Sequence, residues 1–430
     1  MKVKTIHLSY TSLIFILIAG NTLLLPGSGI AGKLLAKITL HSEQNMVANT
    51  PVSIQIDTLS KKVLKASLQL EMITGSQRIP VSSQIESGNS TLLWWILPAD
   101  LKAGETQHYE LVIDKSIAAP LVQIQLNDHA LELGHLRHSA LSYHYAPMPA
   151  PNQNSLYMRS AFIHPIWTPD GKVLTRIHPA DHIHHMGFWN PWTKTEFEGR
   201  PVDFWNLGEG QGIVRFAKFL SITTGPVFGG FEALQEYVHL TAENGEKVAL
   251  YEICSIRLWA RGHPEQSYWI WDFTTSQTCA NQSPFNILQY HYGGFGFRAT
   301  SEWSEGNSDC LTSEGKTRKD GNGTRARWCN VFDTTDKGPA GILFLSHRNN
   351  HEHPEPMRIW PQGDIFFGFC PVVNNPWKMK PGNIYVRKYR IIGYDGSITF
   401  DQAEDFWQNF VTPANAKIEW YLDKENTDHE

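Results

Sequence analysis

From about residue 33 onward the chain keeps a two-residue rhythm of apolar and polar side chains. Only a β-strand, whose successive side chains point to opposite faces, turns that rhythm into one buried face. Val52, Ile54 and Ile56 alternate with polar residues, as do Ala66, Leu68, Leu70 and Met72, and Tyr109, Leu111 and Ile113. Val122, Ile124 and Leu126 repeat the pattern, and so do Val248, Leu250, Cys254, Ile256 and Leu258, with Glu252 as the polar interruption. Trp269, Trp271 and Phe273 share one face of another strand, and Ile384, Val386 and Lys388 oppose Tyr385, Arg387 and Tyr389. One helix is expected, from Phe400 to Phe410, with Asp401 near its start and Ala403, Phe406, Trp407 and Phe410 at helical spacing. The chain is therefore read as all-β, and so many antiparallel strands must close into sandwiches or a barrel to bury their faces.

The strands fall into two groups. Residues 33–118, punctuated by Ser87-Gly88-Asn89 and Ala103-Gly104, have the length of an immunoglobulin-like β-sandwich. Ala118-Ala119-Pro120 is the expected junction to a large antiparallel β-sandwich over residues 119–412, and residues 413–430 read as a polar tail without structure. Residues 1–31 have the pattern of a cleaved export signal. Lys2 and Lys4 precede an apolar run from Leu13 to Leu25, Pro26-Gly27-Ser28-Gly29 breaks it, and Gly29-Ile30-Ala31 fits a small-x-small cleavage site. That run is shorter than the roughly 20 residues of a membrane span, and no later segment is longer, so a periplasmic or secreted protein with no stable membrane span is expected. A net charge of -5 without a basic stripe argues against nucleic acid. The five cysteines, Cys254, Cys279, Cys310, Cys329 and Cys370, form no CxxC pair. Export would permit one or two disulfides, and small buried thiols are the plainer alternative.

Against this background one run stands apart. Five of the nineteen histidines, His164, His178, His182, His184 and His185, lie within it, next to Asp181, Arg159, Arg176 and the tryptophans Trp189 and Trp192. Imidazole both transfers protons and ligates metals near neutral pH. On a strand, His182 and His184 would face one way and Asp181 and His185 the other. The pair could then give two ligands to a divalent metal, with His164, His178 or His351 as a third. Without metal, a histidine acts as general acid or base and Arg159 or Arg176 meets negative charge. Three further clusters carry candidates. Ser346 to Pro356, after an apolar strand, contributes His347, His351 and His353 to a binding-site wall. Gln289 to Arg298 offers Tyr290, His291 and Arg298 on a glycine-rich strand. Asp203, beside Phe204 and Trp205, is an acid in apolar company, where a carboxyl pKa rises. The fifteen tryptophans suit the stacking of sugar rings, and also a packed sandwich core.

These motifs carry a resemblance. Phe162-Ile163-His164-Pro165, Thr168-Pro169-Asp170-Gly171, Asp181-His182-Ile183-His184-His185-Met186-Gly187 and Asp203-Phe204-Trp205 resemble a bacterial family labelled "methane oxygenase PmoA". Tyr292-Gly293-Gly294-Phe295-Gly296-Phe297-Arg298, Ala326-Arg327-Trp328 and His347 to Pro356 follow its later motifs in the same order. The similarity covers about residues 120 to 410, and the Asp-His-x-His-His motif matches position by position. Many members carry arginine after that motif, where this chain has Met186. True methane monooxygenase subunits are multi-span membrane proteins, unlike this chain. Family members resemble exported proteins of carbohydrate-degrading bacteria, so the implied substrate is a glycan or modified sugar.

The expectation is a carbohydrate-active enzyme, a glycoside hydrolase or lyase, on a sandwich of the mutarotase-like supersandwich kind. His182, His184, His185, Asp181, Tyr290 and His351 are its candidate catalytic groups, with His182 and His184 the candidate metal ligands. Arg159, Arg176, His164, Trp189, Trp192, Asp203, His291, Arg298, His347 and His353 are candidate substrate contacts, with Trp189 and Trp192 stacking on sugar. Two other classes remain open, a glycan-binding protein without catalysis and a metal-dependent oxidoreductase.

Overall fold

The computed structural model describes residues 32–422, apart from 65–66, 114–118, 152–153, 263–265, 334–337 and 413. The proposed export signal lies outside the described residues. The all-β expectation holds. In the N-terminal region a five-stranded sheet runs in the order Asn415–Trp420, Lys33–His41, Thr106–Ile113, Leu68–Thr74, Gln77–Val81. It packs on a three-stranded sheet of Pro51–Gln55, Thr91–Ile96 and Ser83–Ser87, around apolar positions such as Ile38, Leu40, Ile54, Leu93 and Leu111. Trp95 and Tyr109 close this core with ring centroids 5.3 Å apart.

The first strand of that sheet is a correction to the polar tail. Asn415–Trp420 pairs antiparallel with Lys33–His41, Ile38 opposite Ile418, and Ala416, Ile418 and Trp420 rest on the small core. The two ends of the described chain thus meet in one sheet. A strand whose apolar residues alternate finds its partner wherever an edge is open.

The large region is built of two eight-stranded antiparallel sheets and one of four strands. The first runs Gly212–Thr223, Phe228–His239, Lys247–Trp259, Tyr268–Cys279, Tyr385–Asp395, Ala340–Ser346, Trp328–Asp333, Ser308–Thr312. The second runs Met357–Ile359, Phe366–Phe369, Gly296–Arg298, Phe188–Trp189, Phe162–Ile166, His138–His144, Ala130–His135, Val122–Leu126. Their inner faces meet through aromatic contacts, Phe188 on Trp271 at 5.5 Å and Phe297 on Phe344 at 5.0 Å. The alternation explains which residues do this: Leu250, Cys254, Ile256 and Leu258 are buried, while Tyr251 and Ile253 face out. Glu252, the polar interruption, is fully buried and accepts from Asn190 Nδ2 at 2.7 Å and Gln277 Nε2 at 3.2 Å, as a buried acid must.

The helix spans Phe400–Val411. Its cap is Thr399, whose side chain accepts from Gln402 N while Gln402 returns a bond to the Thr399 backbone, a reciprocal pair that contributes about 1 kcal/mol. Ala403, Phe406, Trp407 and Val411 bury the apolar stripe against the first large sheet, and Asn409 ties the helix to the small sandwich through Val47 N and Asn45 O. All five cysteines are free and four are buried, so the plainer expectation for them, buried thiols, is the one observed. No helix among the described residues is long and apolar enough to cross a membrane.

Candidate functional site

The histidine run does not lie on a strand. Proline at Pro179 and three short-range bonds, His182 N to Pro179 O, His185 N to His182 O and His178 N to His185 O, fold it into a compact turn. His178 holds a left-handed φ of 48°, uncommon for a side-chain-bearing residue and found where surrounding structure enforces it. The stems of the turn are pinned to the second large sheet: Arg176 N donates to Arg298 O, Arg298 N to Gly187 O and Gly187 N to Arg176 O. Gly187 sits at φ 66° with Ile163 O 2.5 Å from where a Cβ would stand, so only glycine fits.

Because the segment turns, His182, His184 and His185 do not alternate between faces. All three rings touch: His182 and His185 stack at 4.8 Å, and His184 meets His185 at 4.8 Å and His182 at 5.6 Å. A second loop closes over them. Trp360 and Asp364 lie in the hairpin between Met357–Ile359 and Phe366–Phe369, which Trp360 N to Phe366 O shuts. Arg318 holds that hairpin through the Trp360 and Gly363 carbonyls. Trp360 then packs on His182 at 4.6 Å and on His185 at 5.7 Å.

Arg298 joins the two loops. It is fully buried, lies 4.6 Å under the Trp360 ring, donates from Nη2 to Asp181 at 2.6 Å, and approaches Asp364 at 3.3 Å. Arg176 pairs with Asp364 as well. Behind the rings lie Trp189, Trp205 and Phe366, and Tyr292, which packs on Trp205 at 5.3 Å and donates to Asn206 Oδ1 at 3.1 Å. Arg159, 1 % exposed, donates to Phe204 O.

Burial sets the charge states. It pushes His184 down to about 3, with His182 and Arg159 adding to the effect. Burial, then His184 and Arg298, holds His185 well below the ordinary imidazole value. Burial, followed by His144 and His178, takes His164 to about 4. These rings are neutral at pH 7. For Asp181 burial works upward, but the Arg298 hydrogen bond and the Arg298 and His182 charges outweigh it, so the carboxyl stays below its ordinary value and ionised.

Other candidates go elsewhere. Trp192 is fully buried, donates to Gln277 Oε1 at 3.0 Å and lies under Arg387, and Trp189 is 2 % exposed, so neither offers a free face to a sugar. Asp203 caps its own turn, accepting from Trp205 N, Asn206 N and Asn206 Nδ2, and burial raises its pKa. His164 bonds Thr175 Oγ1 at 2.9 Å and supports the stem of the turn. Tyr290 and His291 stack on each other and on Tyr292 at the outer rim. His351 stacks on Trp377 at 4.1 Å and His353 on Trp407, and His347 meets Phe410 edge-on, none of them against the histidine turn. His347 lines one of two open clefts, of about 530 and 570 Å³, where the small sandwich meets the outer face of the large sheet. The first cleft carries charged groups as well, but Asp272 is paired with Arg390 and Arg257 with Glu86, whereas the clustered histidines are at the turn. Among the described residues no three or more His, Cys, Asp or Glu converge to hold a metal ion, so His182 and His184 gain no third ligand. Sequence reasoning misses Trp360 and Asp364, since their hairpin reaches the turn only through the sheet.

The model of a "Family of unknown function (DUF6807)" matches residues 130–408. Among solved structures, the chain is similar to a heparan sulfate lyase HepC mutant from Pedobacter heparinus, at 10% identity and TM-score 0.34, over 66% of this chain and 38% of that one. It is also similar to an alpha-mannosidase from Enterococcus faecalis V583, at 9% identity and TM-score 0.40, over 90% of this chain and 46% of the other. The chain thus spans less than half the length of either, and at these values neither likeness bears on substrate or reaction. No curated protein matches the chain.

Proposed function

We propose a function for this chain, which belongs to the DUF6807 family of unknown function, from the site itself: it is an exported carbohydrate-active enzyme that works by proton transfer at the histidine turn. The observation that carries the reading is the Asp181–His182 pair under Trp360. Asp181 Oδ2 lies 3.2 Å from His182 Nδ1, and the His182 side chain is 39% exposed. The 3.2 Å approach is not a hydrogen bond in the resting geometry, and closing it would draw the imidazole proton to Nδ1 and leave Nε2 as the base. His184 and His185, neutral and more deeply buried, support the ring and offer hydrogen bonds without competing for the proton.

Of the two reactions expected of such an enzyme, elimination suits the groups better than hydrolysis. Hydrolysis asks for a protonated carboxylic acid facing a second carboxylate. Asp181 and Asp364 are both tied to arginine. In elimination the base takes the proton from the carbon beside a sugar carboxyl, that electron pair forms a C=C bond, the C–O bond to the leaving sugar breaks, and the departing oxygen takes the proton that His182 has just received. Arg298 and Arg176 stand where negative charge would grow. Incubation with a panel of neutral and acidic glycans tests this: absorbance of an unsaturated uronate marks elimination, and new reducing ends without it mark hydrolysis. Binding without either product, across every glycan class, would leave a glycan-binding protein, a reading that the half-exposed Tyr290 and Tyr292 at the rim favour.

A further inference from the structure

The donors around the turn outnumber the acceptors that reach them. Arg298 Nε and Nη1, Arg176 Nε, Arg159 Nη1 and Trp189 Nε1 are buried without a hydrogen-bond partner. Buried donors left unpaired are costly, so a fold keeps a group of them only where something else completes it. All are nitrogens, so the missing partner is rich in oxygen. The charges agree. Arg176 and Arg298 share the carboxylates of Asp181 and Asp364, and Arg159, attracted by Asp203, makes no ion pair among the described residues.

Asp181 has the features of a replaceable partner. Its side chain is 44% exposed while the Arg298 it covers is fully buried, so it sits on the solvent side of that guanidinium. Its backbone belongs to the turn rather than to a strand. Exchange of this carboxylate for an incoming anion keeps the buried guanidinium paired throughout, so the swap strands no charge.

We propose that Asp181 stands in for an oxyanion of the substrate, a sugar carboxylate or sulfate ester, and yields Arg298 to it on binding. Once it has yielded Arg298, Asp181 keeps His182 Nδ1 as its neighbour, so arrival of the charged substituent frees the carboxylate to orient the base. The inference rests on the proposed reading of the turn as a glycan site and adds the substrate class: acidic glycans.

The test reads binding, not turnover. Glucuronate, inorganic sulfate and glucose are titrated into the whole protein by calorimetry, with tryptophan fluorescence as a second signal because Trp360 covers Arg298. The expected result is saturable binding of an oxyanion, weakened by salt, and none of glucose. Glucuronate alone identifies a carboxylate seat, sulfate alone a sulfate-ester seat, and both a general oxyanion seat. Asp181→Ala should bind about fivefold more tightly, since the competing carboxylate is gone. Arg298→Lys, which keeps charge without the fork, should lose most of the affinity, and the solvent-facing Asp181→Ala decides the matter if Arg298→Lys does not fold. No saturable binding by wild type and Asp181→Ala, or equal affinity of the two, overturns the proposal. Turnover of neutral glycans without oxyanion binding would overturn it and leave the enzyme reading standing, whereas oxyanion binding with no turnover of any glycan would do the reverse.

Discussion

Two loops, Asp181–His185 and His347–His353, carry three histidines each and treat them in opposite ways. In the second, Asn350 Nδ2 donates to Ser346 Oγ, Glu355 Oε2 and Lys388 O, and its Oδ1 accepts from Lys388 N at 2.7 Å. Arg325 binds the Glu352 carboxylate and two carbonyls of the same loop. His351 and His353 lie flat on tryptophans. Apart from His351 Nε2, which is buried without a partner, its buried polar groups are spoken for, and the loop is a joint between strands. In the first, the rings pack on one another and the nitrogens around them lack partners. Histidine content therefore does not mark a site; unmet hydrogen-bonding capacity does.

The largest effect that would break this contrast is on turnover. His182→Ala should lower kcat by about 10²–10⁴-fold, the usual contribution of a general base. Its Tm should stay near that of the parent, because the side chain is 39% exposed. His351→Ala should leave kcat unchanged. Equal losses in steady-state assays of the two variants would make the loops equivalent and end the distinction. The reverse experiment is Asn350→Ala. It takes one donor from Glu355, which keeps Ser346 and Tyr389, leaves the Lys388 N–H without its acceptor, and should cost about 1–3 kcal/mol in denaturant unfolding, with kcat per folded molecule unchanged.

The sequence carries the contrast only in part, for physical reasons. Strand alternation is local, so Lys247–Trp259 and Tyr268–Cys279 can be read directly from Leu250 to Leu258 and from Trp269 to Phe273. The same rule misleads at His182 and His184, where a spacing of two predicts a shared strand face although Pro179 turns the chain. Asn415–Trp420 hides its alternation of Ala416, Ile418 and Trp420 among charges and reads as tail. The helix cap is also legible, as Thr399 followed three residues on by Gln402. Trp360 and Asp364 are not. Nothing local distinguishes them, and their meeting with Arg298 depends on the order of strands in the second sheet. Whether Trp189 and Trp192 face sugar or core is likewise a property of packing, invisible to composition.

Acid sharpens the comparison at a smaller scale. His184 is depressed from 6.5 to about 3 and His347 from 6.5 to about 4, both chiefly by burial. A histidine kept neutral in the fold binds fewer protons than in the unfolded chain, so its contribution is full above about pH 6.5 and fades as pH falls toward its folded value. Tm should therefore drop from pH 6.5 downward. His347→Gln should flatten that drop above about pH 4, and His184→Gln should flatten it further down, to about pH 3. Melting curves from the two variants that coincide across the range would mean the loops share one environment.

The smallest effect separates what Trp360 does from what it covers. The ring lies over Arg298 at 4.6 Å and against His182 at 4.6 Å, so it holds the guanidinium and the base at a fixed distance while keeping one face toward solvent. A phenyl ring retains the packing and much of the cation–π attraction, which amounts to about 0.5–2 kcal/mol. Trp360→Phe should then raise KM by a small factor and leave kcat almost unaltered, while Trp360→Ala should raise KM by about tenfold, near the upper part of that range. A loss confined to kcat in both variants would place the ring in the chemistry and not in the wall. A loss in neither would mean that substrate approaches from the Tyr290–Tyr292 rim alone, and the turn's aromatic cover would then be packing of the same kind that Trp377 gives His351.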